Sequence, residues 1–205
     1  MKKPSPLAIT LTILAVITGA LVALSGFYVD WLWFNSVGFT DVWTTVLTTK
    51  VALFVIAGLL TSLIISLNVY LAFRRRPFYV PTSIEADNLE RYRTTIDPIR
   101  KLVFAGIVLV LFYFGGTSAT NLWSSWLLFK NSTSFGVKDP QFNLDISFFA
   151  FKLPLYQAMI SWAISALVLA ALASAFVHYM YGGIRTVGQG DRTTVAARVQ
   201  LSILL

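Results

Sequence analysis

His178 is the single histidine among 205 residues, and the chain has no cysteine. Imidazole can ligate haem or carry a proton. No second ligand lies near it in sequence. The reading adopted is a helix-packing or interfacial histidine, hydrogen-bonded to a neighbour. Asp139 and Asp145 could act as an acid and a base only if the fold brought them to a common reacting atom. Glu85, Asp87 and Glu90 have the density of a metal site, but Arg91 and Arg93 sit among them. A solvated helix face with local ion pairs accounts for all five. Gly182-Gly183 and Gly188-Gln189-Gly190 lack the lysine and the preceding strand of a phosphate loop. Asn121 is read as interfacial rather than as a polar site within a membrane. No Asp, Glu, Lys or Arg lies deep in an apolar run, where a proton relay or ion-coupled transporter would place one. These residues predict no catalytic set, no metal site and no cofactor.

The elements that would position them are membrane spans. Apolar residues make up 57% of the chain and charged residues 12%, against about 25% charged in soluble domains. Val51 to Phe73 holds 23 residues without a formal charge and is closed by Arg74, Arg75 and Arg76. As a helix it is roughly 35 Å long, enough to cross a hydrocarbon core of about 30 Å. The arginines stay out of lipid and mark the cytoplasmic side. Lys2 and Lys3 precede an uncharged run ended by Asp30. It is too long for the core of a secretory signal, and Ala23-Leu24-Ser25 is a poor cleavage site. The first span is therefore placed at about 7–28, with a cytoplasmic N-terminus.

The remaining spans follow in order. An outer loop at 29–50 carries Trp31, Trp33, Phe34 and Trp43, the composition of an interfacial aromatic belt or a lipid or partner groove. Thr40 or Asp41 can cap a helix that runs through Lys50 into the span at 51–73. The loop at 74–101 contains a capping-box pattern at Thr82-Ser83-Ile84-Glu85, predicting a short helix over about 83–94. Asp97-Pro98 reads as an N-cap and first-turn proline. It launches a third span at 102–121, whose helix is expected to continue at the outer interface towards Phe129. An outer loop at 122–153 leads to a fourth span at 154–181, with Pro154 in its first turn. Ala166, Ala170, Ser174, His178 and Gly182 recur every four residues along it, a face suited to close helix packing in lipid. A cytoplasmic loop at 182–198 precedes an apolar run from Val199 that looks like the start of a fifth span.

Charge supports that direction. Twelve of the 16 lysines and arginines fall on the cytoplasmic side of this layout, and Lys50, Lys130, Lys138 and Lys152 fall outside. Net charge is +7. The cations cluster at span ends, so anionic headgroups rather than nucleic acid are the expected partner, with Arg74, Arg75 and Arg76 as contacts. The expectation is an all-α integral membrane protein of four transmembrane helices and the start of a fifth. Its expected role is non-enzymatic, anchoring or docking other membrane subunits. The alternative is a transporter or lipid-handling protein. A broken third helix with a polar cavity near Gly115, Gly116 and Asn121 would favour that alternative, and a continuous packed helix would favour the scaffold.

Several blocks occur together in a fixed order. They are Asp30-Trp31-Leu32-Trp33-Phe34 with Val37-Gly38-Phe39, Glu90-Arg91-Tyr92-Arg93, and Phe135-Gly136 leading to Asp139-Pro140-Gln141-Phe142. Asp145-Ile146-Ser147-Phe148-Phe149 and Phe151-Lys152-Leu153-Pro154 follow. Tyr181-Gly182-Gly183-Ile184-Arg185 and Ala197-Arg198-Val199-Gln200-Leu201-Ser202 complete the set. The chain resembles the bacterial Uncharacterised Protein Family 0182. The resemblance implies a multi-pass membrane protein several times longer than this chain, with a large extracytoplasmic domain. The chain would then be the N-terminal membrane region. The resemblance brings no established activity and no catalytic residues.

Overall fold

The computed structural model describes residues 5–77, 97–185 and 192–205. The expected helix at 83–94 and the acidic trio Glu85, Asp87 and Glu90 lie outside the described residues. The described chain is all-α, with four helices long and apolar enough to cross a membrane. Backbone contacts divide it into two units, Met1–Thr48 and Thr49–Leu205.

Helix α1, Pro6–Ser36, opens on Ser5, whose hydroxyl accepts from the Ala8 amide at 3.3 Å, with Pro6 in the first turn. Its 31 residues make a rod of roughly 46 Å. It stops at Gly38, which sits at φ 75°. The Gly38 amide bonds the Asn35 carbonyl and the Phe39 amide bonds the Phe34 carbonyl at 2.9 Å. This paired closure needs a left-handed residue, the conformation glycine adopts without strain. Helix α2, Thr40–Arg74, follows at once. A three-residue turn thus joins the two helices within the expected outer segment 29–50, and Trp31, Trp33, Phe34 and Trp43 are helical. Thr40 is the first helical residue rather than the cap, and its hydroxyl faces the Asn35 side-chain oxygen at 3.4 Å.

A 3-10 turn, Asp97–Ile99, leads into α3, Arg100–Thr120. Asp97 does not cap α3. Ile99 holds the cap position without a side-chain bond, and Asp97 instead pairs with Arg100 at 3.5 Å. Pro98 lacks the amide that a regular first turn would leave free, and the tighter turn absorbs it. Helix α3 runs unbroken through Gly115 and Gly116. There it lies backbone-close to α2. A Cβ on Gly116 would stand 2.7 Å from the Phe54 carbonyl oxygen, and one on Gly115 would stand 2.6 Å from Thr61 Cβ. Gly58 of α2 faces the Phe112 carbonyl oxygen in the same way, at 2.6 Å. Three glycines at one crossing let the helices approach as small residues do in lipid.

Helix α3 ends before the predicted Phe129. The Thr117, Ser118 and Thr120 hydroxyls all bond carbonyls of their own helix. The Leu122 amide turns back to the Ala119 carbonyl at 3.0 Å. This local competition closes α3, and Trp123–Lys130 forms a separate short helix, α4. A wide π turn at Phe148–Lys152 opens α5, Leu153–Met180. The Leu153 amide reaches five residues back to the Phe148 carbonyl, and Pro154 behind it has no amide to restore the usual spacing. Helix α6, Val195–Leu204, starts earlier than the expected Val199. Thr194 caps it, accepting from the Ala197 amide at 3.3 Å.

Candidate functional site

Gly182 closes α5, as Gly182-Gly183 suggest in the sequence, one step beyond the small-residue face. It stands beyond Met180 at φ 73°. Its amide bonds the Tyr179 carbonyl, and the Gly183 amide bonds the His178 carbonyl at 2.7 Å. This is the same closure that ends α1. The chain then pairs antiparallel with the segment before α6. The Arg185 amide donates to the Arg192 carbonyl at 2.7 Å, and the Thr194 amide to the Gly183 carbonyl at 2.8 Å. That pairing sets α6 against α5.

The result is a buried polar joint of three helices. Ala166, Ala170, Ser174 and His178 are all buried on α5, as is Gly182 beyond it. His178 Nε2 lies 3.1 Å from Gln200 Oε1 on α6. Gln200 Nε2 donates to the Asn68 carbonyl of α2 at 2.8 Å and to Ser174 Oγ at 3.3 Å. The Asn68 carbonyl can only accept, which fixes the orientation of the Gln200 amide. Both amide protons are then committed, so Oε1 accepts from His178. Neutral His178 therefore carries its proton on Nε2, and Nδ1 holds a lone pair. Nδ1 is buried and has no hydrogen-bond partner among the described residues. It lies against Gly183, where a Cβ would stand 2.8 Å away.

Around the joint, Phe73 of α2 meets Tyr181 edge to face at 5.2 Å between ring centres. The Arg76 guanidinium lies 4.2 Å from the Phe73 ring centre and 5.2 Å from that of Tyr181. Arg100 lies 5.9 Å from Phe73. Arg74 and Arg75 are exposed beside it. The starts and ends of α2, α3, α5 and α6 thus share one arginine-bearing end. At the opposite end Lys50 stands 5.5 Å from the Trp123 ring centre. Between the two ends, Trp162 of α5 donates from Nε1 to Thr61 Oγ1 at 3.0 Å.

The aromatic residues near the first turn pair with aromatic neighbours. Trp31 stacks on Tyr28 at 5.8 Å, Trp33 meets Phe34 at 4.9 Å, and Trp43 meets Phe27 at 4.9 Å. Trp33 is 58% exposed. Asn121 is exposed. Asp139 and Asp145 each bind amides of their own loop and do not face one another as an acid/base pair. Asp139 accepts from the Gln141 and Phe142 amides. Asp145 accepts from the Ser134 hydroxyl and from the Phe135, Gly136 and Ser147 amides. The Ser134 hydroxyl first, then the Ser147 bonds, hold the Asp145 carboxyl well below the usual carboxylate range. Among the described residues no group of three His, Cys, Asp or Glu could hold a metal.

Gln200 and Asn68 are the members of the joint that sequence reasoning missed as site residues. Gln200 was legible only as one polar residue in an apolar run. Nothing in its neighbourhood names partners 22, 26 and 132 residues away.

The uncharacterised protein family UPF0182 matches residues 7–205. The chain is 43% identical over 199 residues to a UPF0182 protein of Streptomyces coelicolor, covering 97% of this chain and 20% of that one. It is 46% identical over 193 residues to one from Thermobifida fusca, covering 94% and 19%. For one from Salinispora tropica the identity is 47% over 178 residues, covering 87% and 18%. The chain thus spans about a fifth of the length of these relatives. No solved structure matches it. A helical membrane chain matched over nearly its whole length in this way belongs to the uncharacterised protein family UPF0182.

Proposed function

We infer that this chain is a non-enzymatic membrane scaffold, anchoring a larger protein of the bacterial plasma membrane and docking other membrane subunits. The observation that carries the reading is the α2–α3 crossing. Helix α3 passes Gly115 and Gly116 without a break, and backbone contact fills the place where a transport path would open. The polar joint has the same character, since its amide protons are spent on fastening α6 to α2 and α5. The arginine-bearing end faces the cytoplasm, where anionic lipid would meet Arg74, Arg75 and Arg76. The four aromatic residues Trp31, Trp33, Phe34 and Trp43 serve as contacts to lipid or partner helices.

The test is purification of the full-length protein from native membranes in mild detergent, followed by intact-mass measurement of the complex. The scaffold reading expects membrane proteins in fixed stoichiometry with it. A protein that runs alone, and that moves a solute or lipid across reconstituted vesicles, would overturn it.

A further inference from the structure

Between α4 and α5 the chain folds into a small hairpin that the scaffold reading leaves unused. The Asp139 amide donates to the Leu144 carbonyl at 2.8 Å and the Ile146 amide to the Val137 carbonyl at 3.0 Å. Asn143 turns the tip at φ 54°. The hairpin binds its acids to its own donors. Asp145 is held by four donors from residues 134–147, and Asp139 by two amides at the tip. Large apolar and cationic side chains are exposed beside them. Phe142 at the tip is 60% exposed and Val137 57%, with Phe135, Leu144 and Ile146 also exposed. Lys130 and Lys138 are exposed too. So many large apolar side chains in a dozen loop residues are not a surface that water favours.

The hairpin is also tied to a membrane helix. Phe135 meets Phe151 at 5.3 Å and Phe142 meets Phe149 at 6.0 Å. Both partners lie in the π turn that opens α5, whose span begins there. The hairpin's depth is therefore set by the helix.

We propose that the 134–147 hairpin is a lipid-binding element that inserts Val137, Phe142 and Leu144 into an anionic bilayer surface beside α5. The apolar side chains enter the boundary between headgroups and acyl chains. Lys130 and Lys138 take the anionic headgroups.

The test uses the full-length protein in a cysteine-free background. Single cysteines at Val137, Phe142 and Leu144 carry a nitroxide in vesicles containing phosphatidylglycerol. Depth is read from collisions with oxygen and with a water-soluble nickel complex, calibrated on spin-labelled lipids. The expected result is oxygen access with nickel exclusion, placing the labels about 5–10 Å into the boundary. Replacing phosphatidylglycerol with phosphatidylcholine should raise nickel access, and so should Lys138→Gln. Free nickel access in the anionic vesicles would put the hairpin in water and overturn the proposal. Exclusion of both reagents would show a protein covering, a second copy or another segment, and would also overturn it. Depth indifferent to lipid charge would overturn the role of the lysines.

Discussion

At Gln200 a single side chain carries three helices. Its amide satisfies a backbone carbonyl, a serine hydroxyl and a histidine at once. Replacing it with leucine strands these groups away from water. Gln200→Leu should cost about 1–2 kcal/mol, read as denaturant unfolding of the full-length protein in mixed micelles. Gly183→Ala should also destabilise, because its new methyl meets the His178 ring and not the far end of a flexible chain. His178 Nε2 is spent on Gln200, which favours a packing role over haem ligation. The absorbance spectrum of the purified protein should lack a Soret band. Asp145 gives a prediction with a sign. Its folded carboxyl is shifted down, so the stability it adds is present above the unfolded value of about 3.9 and is lost as pH falls below it. Protection of the 134–147 amides, measured against the intrinsic exchange rate at each pH, should hold at neutral pH and fall only in acid. Asp145→Asn should lower that protection at neutral pH and flatten its dependence on pH. The packing role of His178 could be weighed from sequence because a lone imidazole has few alternatives. Its partner could not, since hydrogen bonds across helices leave no local pattern.

Helix existence followed from uncharged length, because lipid leaves a spanning backbone no other partner than itself. Helix ends depended on finer chemistry. Gly38 and Gly182 both close helices with positive φ, and Gly182 also stands one step beyond a small-residue face. Spacing alone cannot separate a packing glycine from a terminating one. The α2–α3 crossing offers a test with an internal control. Gly115→Ala pushes a methyl into Thr61, and Gly116→Leu drives a larger side chain into the Phe54 carbonyl. Gly106 has open space around it. The first two should each cost about 1–3 kcal/mol as overpacking, measured by the same unfolding assay. Gly106→Ala should be neutral or mildly stabilising.

For the whole molecule the prediction is direction. Single cysteines replacing Arg75 and Lys138, in a cysteine-free background, should react with an impermeant maleimide from opposite sides of the membrane. Labelling of both from one side would refute the proposed topology. Several things were set by the sequence alone: the membrane class, the four spans, and the uneven placement of lysine and arginine. All of these are consequences of composition along a line, and a bilayer reads composition along a line. The tertiary structure decided which residues meet. It brought Gln200 to Asn68 and Ser174, laid Gly115 on Thr61, and folded Asp145 into its own loop while leaving Phe142 outside. Those contacts depend on how helices cross and how turns are closed. A chain whose spans are apolar on every side carries little in its periodicity to say which side will face a neighbour.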